Sequence, residues 1–176
     1  MDETNPLGMN NSRFVVKILM PLPDQDFDPT EAAIPWKECT SRGWKVEFST
    51  EHGNVAQGDA LKLTGPLPGL LSAGEKAKTA YLQMIQEPAY NHPIPYTEID
   101  PDRYQAILLP GGDTLHMRQY LESSVLQIKV LQFWEQNKLI GAICHGVLVP
   151  ARTIDPKTRH SILYGHGCGA IRQALR

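Results

Sequence analysis

Residues 139–146, Leu-Ile-Gly-Ala-Ile-Cys-His-Gly, constrain the fold of this chain more than any other stretch. A short apolar run ending in small residues reads as a buried strand. A lone nucleophile followed at once by His and Gly reads as a sharp strand-to-helix elbow. Small neighbours let the backbone make that turn, which lifts Cys144 out of the sheet. Residues 147–152 read as a short helix. Its free N–H groups would face the sulfur and lower the thiol pKa from about 8.5 into the range of about 3.5–7.5. The plainer reading is a buried structural cysteine, a frequent fate of this residue.

The remaining pattern alternates strands with helices. Residues 14–20 and 104–109 are short and apolar, each stopped by a proline, and 44–50 alternates in strand fashion. Between them, 30–42 reads as a helix capped by Asp28 or Thr30 and stopped at Gly43, with Pro35 in its first turn or so. Residues 121–137 read as a second helix, with Val125, Ile128, Leu131 and Trp134 as its apolar stripe. Residues 161–164 are a last strand candidate. Alternation of this kind predicts an α/β fold, a mostly parallel sheet with helices on both faces. Residues 54–102 are rich in Gly and Pro and carry one clear helix, about 72–86, so they read as an insertion. Residues 1–13 read as a disordered N-terminal segment and 166–176 as an atypical tail.

Ligands of such sheets bind beyond the carboxyl ends of the strands. Leu108-Leu109-Pro110-Gly111-Gly112 closes one strand there, and its glycine N–H groups could form an oxyanion hole beside Cys144. An ordinary glycine turn is the simpler account of that motif taken alone.

The ordered pair Leu-Leu-Pro-Gly-Gly and Ala-Ile-Cys-His-Gly resembles the ThiJ/PfpI superfamily, over about residues 14–165. The resemblance implies a flavodoxin-like, class I glutamine amidotransferase-like fold. It also implies a conserved acid near the cysteine, which Glu31 in Glu31-Ala-Ala-Ile-Pro35 matches, and His145 as general base or acid. Without that role, Glu31 would be a first-turn glutamate favoured by the helix dipole. The implied chemistry is that of glyoxalase III: cofactor-free conversion of 2-oxoaldehydes, or attack on another small electrophile, through Cys144, His145 and Glu31, with Gly111, Gly112 and Asp113 around the substrate. The alternative is a non-catalytic binding or redox-sensing relative, or a truncated remnant. Two departures favour that alternative. Asp113 stands where many relatives carry His, and a carboxylate there would repel a thiolate or an anionic substrate. The chain also stops soon after 161–165, so the fold is expected to be truncated, with an exposed edge and an apolar face near Ile162 and Leu163, and a homodimer could cover it.

Composition narrows the partners. A formal net charge of -2 over 176 residues gives no electrostatic reason to expect nucleic acid or an acidic membrane. Three widely spaced cysteines speak against a disulfide framework and for a reducing, cytoplasmic setting. No apolar run approaches the roughly 18 residues of a membrane span. His160, His166 and Cys168 match no familiar metal-binding spacing, so no metal and no cofactor are expected.

Overall fold

The computed structural model describes residues 15–64 and 73–166 of the chain. Five parallel strands form the main sheet: β1 (Lys17–Pro21), β3 (Lys45–Thr50), β5 (Ile94–Pro95), β6 (Ala106–Leu109) and β7 (Leu139–Ala142), in the order β5-β3-β1-β6-β7. β1 is central, pairing with β3 from Lys17↔Lys45 to Pro21↔Ser49 and with β6 at Ile18↔Ala106. Its Leu19 and Met20 are fully buried, as are Phe27, Ile107, Leu109 and Phe133 of the same core. A short parallel pair, β2 (Gln25–Phe27) with β4 (Gln57–Gly58), lies outside this sheet.

Two helices cross over in opposite directions from the centre. α1 (Pro29–Ser41) leads toward β3, and α6 (Ser124–Glu135) leads from β6 to β7. Right-handed crossovers running in opposite directions place these helices on opposite faces. The strand order therefore reverses between β1 and β6, and the crevice at their carboxyl ends is where such sheets bind ligands.

Residues 54–102 pack into this same core. α2 (Ala60–Thr64) follows β4, then come α3 (Glu75–Met84), which lies against α1, and α4 (Pro88–Asn91), which leads into β5. Two tyrosines fasten the segment. The Tyr90 hydroxyl donates to the Ala56 carbonyl at 2.7 Å, and the Tyr81 oxygen accepts from the Gly58 N–H at 3.2 Å.

Several sequence expectations are corrected. The helix expected over 121–137 is broken: α5 (Arg118–Leu121) ends at Glu122, and Ser123 starts α6 by accepting from the Leu126 N–H at 3.2 Å. The buried stripe of α6 is Leu126, Val130 and Phe133, whereas Ile128 is 56% exposed. Of the expected stripe, Val125, Leu131 and Trp134 pack half-buried against the core and Ile128 turns to solvent, so the stripe is displaced and not reversed. Pro35 lies well inside α1 because the helix begins at Pro29; it withholds the N–H that would have met the Glu31 carbonyl. Residues 161–164 form no strand. One antiparallel bridge, Ile154↔Ser161, is followed by turns, and Ile162 is only 3% exposed. Among the described residues β5 and β7 are the edge strands, and Leu139 of β7 is 75% exposed. After β7 come a 3-10 turn, Cys144–Val147, and α7 (Leu148–Arg152). The readings made for residues 1–13 and for Cys168 lie outside the described residues. Among those described, no helix is long and apolar enough to cross a membrane.

Candidate active site

Cys144 sits on a strained elbow. The Ile143 N–H still pairs with the Leu109 carbonyl at 2.9 Å, extending the β6–β7 ladder by one residue. The chain then reverses at Cys144, whose φ is 51°. A non-glycine residue in that left-handed region costs of order 1–3 kcal/mol, and such strain gathers at functional positions. The Gly146 N–H closes the turn on the Ile143 carbonyl at 2.9 Å.

Two glycines are dictated by closeness of approach. A Cβ on Gly146 would lie 2.2 Å from the Leu109 carbonyl oxygen, and one on Gly111 would lie 2.8 Å from the His145 and Gly146 nitrogens. The Pro-Gly-Gly turn after β6 and the elbow after β7 are therefore pressed backbone to backbone. Gly112 faces elsewhere: its Cβ would meet the Asp26 carbonyl oxygen and the Met117 sulfur, each at 3.0 Å.

α1 delivers Glu31. Asp28 is the cap, accepting from the Thr30 N–H at 2.7 Å and the Glu31 N–H at 3.3 Å. Its own N–H donates to the Gly111 carbonyl at 2.9 Å. The Glu31 side chain then accepts the Gly111 N–H at 2.9 Å, which holds its carboxyl near enough to Cys144 for each group to shift the other's ionisation. Gly111 thus cannot offer a free N–H to an oxyanion while Glu31 holds it, which corrects that part of the expected oxyanion hole.

The ionisation of the pair differs from expectation. Burial, with the negative charge of Asp28 second, raises the Glu31 pKa above 4.5, against the opposing pull of Cys144, the Gly111 N–H and Lys62. The Cys144 thiol is raised as well. Partial burial of the sulfur and the Glu31 charge outweigh the His145 N–H and Lys62, which favour the thiolate. The expected lowering fails because burial of the sulfur and then the nearby Glu31 charge oppose the thiolate, while the turn after β7 is a 3-10 turn followed by a helix of only five residues. His145 is exposed, its Nδ1 3.5 Å from the Cys144 sulfur.

Asp113 is not the bare repelling charge expected from its position. Its carboxylate meets the Lys62 ammonium at 2.9 Å, and the same ammonium meets Asp28 at 2.7 Å. The hydrogen bond to Lys62 holds the Asp113 pKa below its ordinary value, with a smaller contribution from His145. Burial works against the Lys62 charge, yet the two carboxylates prevail and hold its pKa above the ordinary lysine range. Sequence reasoning missed Lys62. It sits 34 residues from Asp28 in the chain, and no motif marks it. At the rim, His116 pairs with Asp26, another residue missed, whose φ is 61°. The two described histidines of the discounted metal reading go elsewhere: His160 stacks on Tyr164 at 4.2 Å and His166 meets Trp134 edge-on at 5.2 Å.

A family profile described as ThiJ/PfpI family-like matches residues 22–161. The chain belongs to this ThiJ/PfpI-like family. Its strand-end cysteine, paired glycines and Glu31 all fall within the matched region. A deglycase of Thermococcus kodakarensis is 30% identical over 91 residues, 49% of this chain and 54% of the relative. A protein of Schizosaccharomyces pombe is 26% identical over 121 residues, 67% of this chain and 45% of that one. The chain spans about half the length of these two relatives. Among solved structures, glyoxalase III of Candida albicans has a TM-score of 0.62 at 18% identity, over 84% of this chain and 64% of its own. A ThiJ/PfpI domain protein of Brachyspira murdochii has a TM-score of 0.57 at 19% identity, over 79% and 64%. These structures share the ThiJ/PfpI-like fold with the chain.

Proposed function

We propose that this ThiJ/PfpI-like chain is a cofactor-independent, cysteine-dependent enzyme acting on 2-oxoaldehydes or a similar small electrophile. What supports the reading is the placement of Glu31 near Cys144 at the switch point of the sheet, the carboxyl held by the Gly111 N–H. Burial raises the carboxyl pKa, a direction that suits proton transfer beside the one side chain here suited to attack a carbonyl carbon.

With methylglyoxal, the Cys144 sulfur adds to the aldehyde carbon and the thiol proton passes to the carbonyl oxygen, giving a hemithioacetal. A base, Glu31 or His145, takes the hydrogen from that carbon as a proton and returns it to the neighbouring carbon. The adduct becomes a thioester of the 2-hydroxy acid. Water cleaves the thioester and restores the thiol. One carbon is oxidised and its neighbour reduced, so no external redox partner is required.

The alternative, a binding or redox-sensing relative, is favoured by the raised thiol pKa. A thiol-dependent site of either kind suits a reducing compartment such as the cytoplasm, and the open edge of β7 suits pairing with a second copy. The deciding experiment is turnover of methylglyoxal by the purified protein beside Cys144→Ala. Hydroxy acid formation lost in the variant supports the enzyme. No turnover above the variant, across a panel of small aldehydes, removes it.

A further inference from the structure

We propose that Lys62 is a positioning residue of this site, binding Asp28 and Asp113 into one ion cluster and so setting how readily Cys144 forms its thiolate. The inference deepens the cysteine-dependent reading above and rests on Cys144 being the working group.

Lys62 is brought to the site by β4 and α2. β4 pairs with β2 beside α1, and the Asp59 N–H donates to the Phe27 carbonyl at 2.9 Å. The Asp59 side chain accepts from the Leu61 N–H at 2.8 Å, which turns the chain into α2. The Ala73 N–H fixes the Lys62 carbonyl at 2.8 Å. These contacts aim the Lys62 side chain inward, where it is 18% exposed, onto two carboxylates at 2.7 and 2.9 Å. One carboxylate caps the helix that carries Glu31. The other follows the glycine turn that Glu31 grips. A single ammonium therefore ties the acid-bearing helix to the substrate-side turn, and the part-buried half of the cluster is screened less than a surface pair would be.

The groups whose charge or hydrogen bonding acts on the Cys144 sulfur are Glu31 from α1, His145 from the turn, and Lys62 from α2, and Lys62 is itself paired with Asp28 and Asp113. Without the ammonium, Asp28 and Asp113 would stand near each other with no shared counter-charge. Like charges gathered at one site favour protonation and oppose a new anion such as the thiolate. A bare Asp113 would be the repelling charge that its position suggests; Lys62 offsets it in part, since one ammonium serves two carboxylates.

The test reads the thiol directly and does not require turnover. The rate of Cys144 alkylation by iodoacetamide is followed across pH by mass spectrometry, in the full chain and in Lys62→Met, Lys62→Arg, Asp113→Asn and the double variant Lys62→Met/Asp113→Asn. His145 is present throughout, so differences isolate the cluster. Lys62→Met is expected to move the midpoint upward by about 0.5–1 unit, roughly three- to tenfold less thiolate at neutral pH. Lys62→Arg is expected to stay near the parent, and the double variant to recover part of the shift. Asp113→Asn alone is expected to move the midpoint downward, and it serves if Lys62→Met fails to fold. A folded Lys62→Met with the parent's profile, or Asp113→Asn without a downward shift, overturns the proposal. Methylglyoxal inactivity of the parent would instead overturn the proposed reaction and leave this measurement standing.

Discussion

Glu31 and Gly111, 80 residues apart in the chain, are joined by a 2.9 Å hydrogen bond from the glycine N–H to the carboxyl oxygen. The bond makes the acid a structural strut between α1 and the turn after β6, so its chemical and mechanical roles can be separated by substitution. Glu31→Gln keeps an oxygen for the Gly111 N–H and is expected to fold normally, with turnover of a 2-oxoaldehyde down by roughly 10²–10⁴-fold, the usual scale of lost proton transfer. Glu31→Ala leaves the glycine N–H without its partner and is expected to lose about 1–3 kcal/mol of stability as well. Chemical denaturation alongside turnover separates the two effects.

The raised pKa of Glu31 makes stability depend on pH in a direction opposite to that of most carboxylates. Its proton is held to higher pH in the folded than in the unfolded state, so the folded state binds more protons in the window above 4.5. Stability from this group is fully present below that value and falls as pH rises through the folded-state pKa. Melting curves of the parent and Glu31→Gln from pH 4 to 8 should therefore diverge, with the variant gaining on the parent as pH increases. Parallel curves would show that Glu31 is not held protonated.

Cys144 should be alkylated ahead of Cys39. Both thiols are raised by burial first, but Cys144 is exposed, whereas Cys39 is half-buried against the core. The Cys144 rate should climb with pH through a midpoint above the ordinary thiol value, and Glu31→Gln should bring that midpoint down. Peptide mapping after brief iodoacetamide treatment reads both, and Cys39 reacting first at neutral pH would contradict this account of the site.

The two stripes of α6 offer a packing test. Phe133→Ala removes a fully buried ring and is expected to cost about 3–5 kcal/mol. Ile128→Ala, on the exposed side, should stay within about 0.5 kcal/mol of the parent. Denaturant titration of the two variants should reproduce that contrast.

At the sheet edge, Leu139→Lys on β7 should reduce self-association in light scattering and leave the melting temperature nearly unchanged. Charged side chains on an edge oppose pairing with another chain. Loss of the folded transition would instead mean that Leu139 serves the protein's own core.

What could be read from sequence was what short-range sterics dictate. Cys144, Gly146 and the Pro110-Gly111-Gly112 turn were legible because a tight elbow and a backbone packing that leaves no room for a Cβ at Gly111 or Gly146 admit few residue types. Glu31 was legible through resemblance, helped by the capping pattern at Asp28. The α6 stripe was legible at its margin, Val125, Leu131 and Trp134, but not at its centre, because periodicity alone does not rank Leu126, Val130 and Phe133 above their neighbours. The strand expected at 161–164 dissolved because its apolar residues, Ile162 among them, were buried by turns as well as a strand would bury them. The thiol pKa was misjudged because burial of the sulfur and a carboxyl brought near it by the tertiary fold are not written in the local sequence.

The Lys62–Asp113 pair, 2.9 Å apart, has an evolutionary consequence. An acid introduced at 113 without a base at 62 would set a second carboxylate beside Asp28 with no counter-charge, whereas a base at 62 without that acid would still be neutralised by Asp28. The base can therefore arrive first and the acid second. In an alignment of relatives an acid at 113 should accordingly be accompanied by a base at 62, even where the lineages have drifted apart in every loop around them.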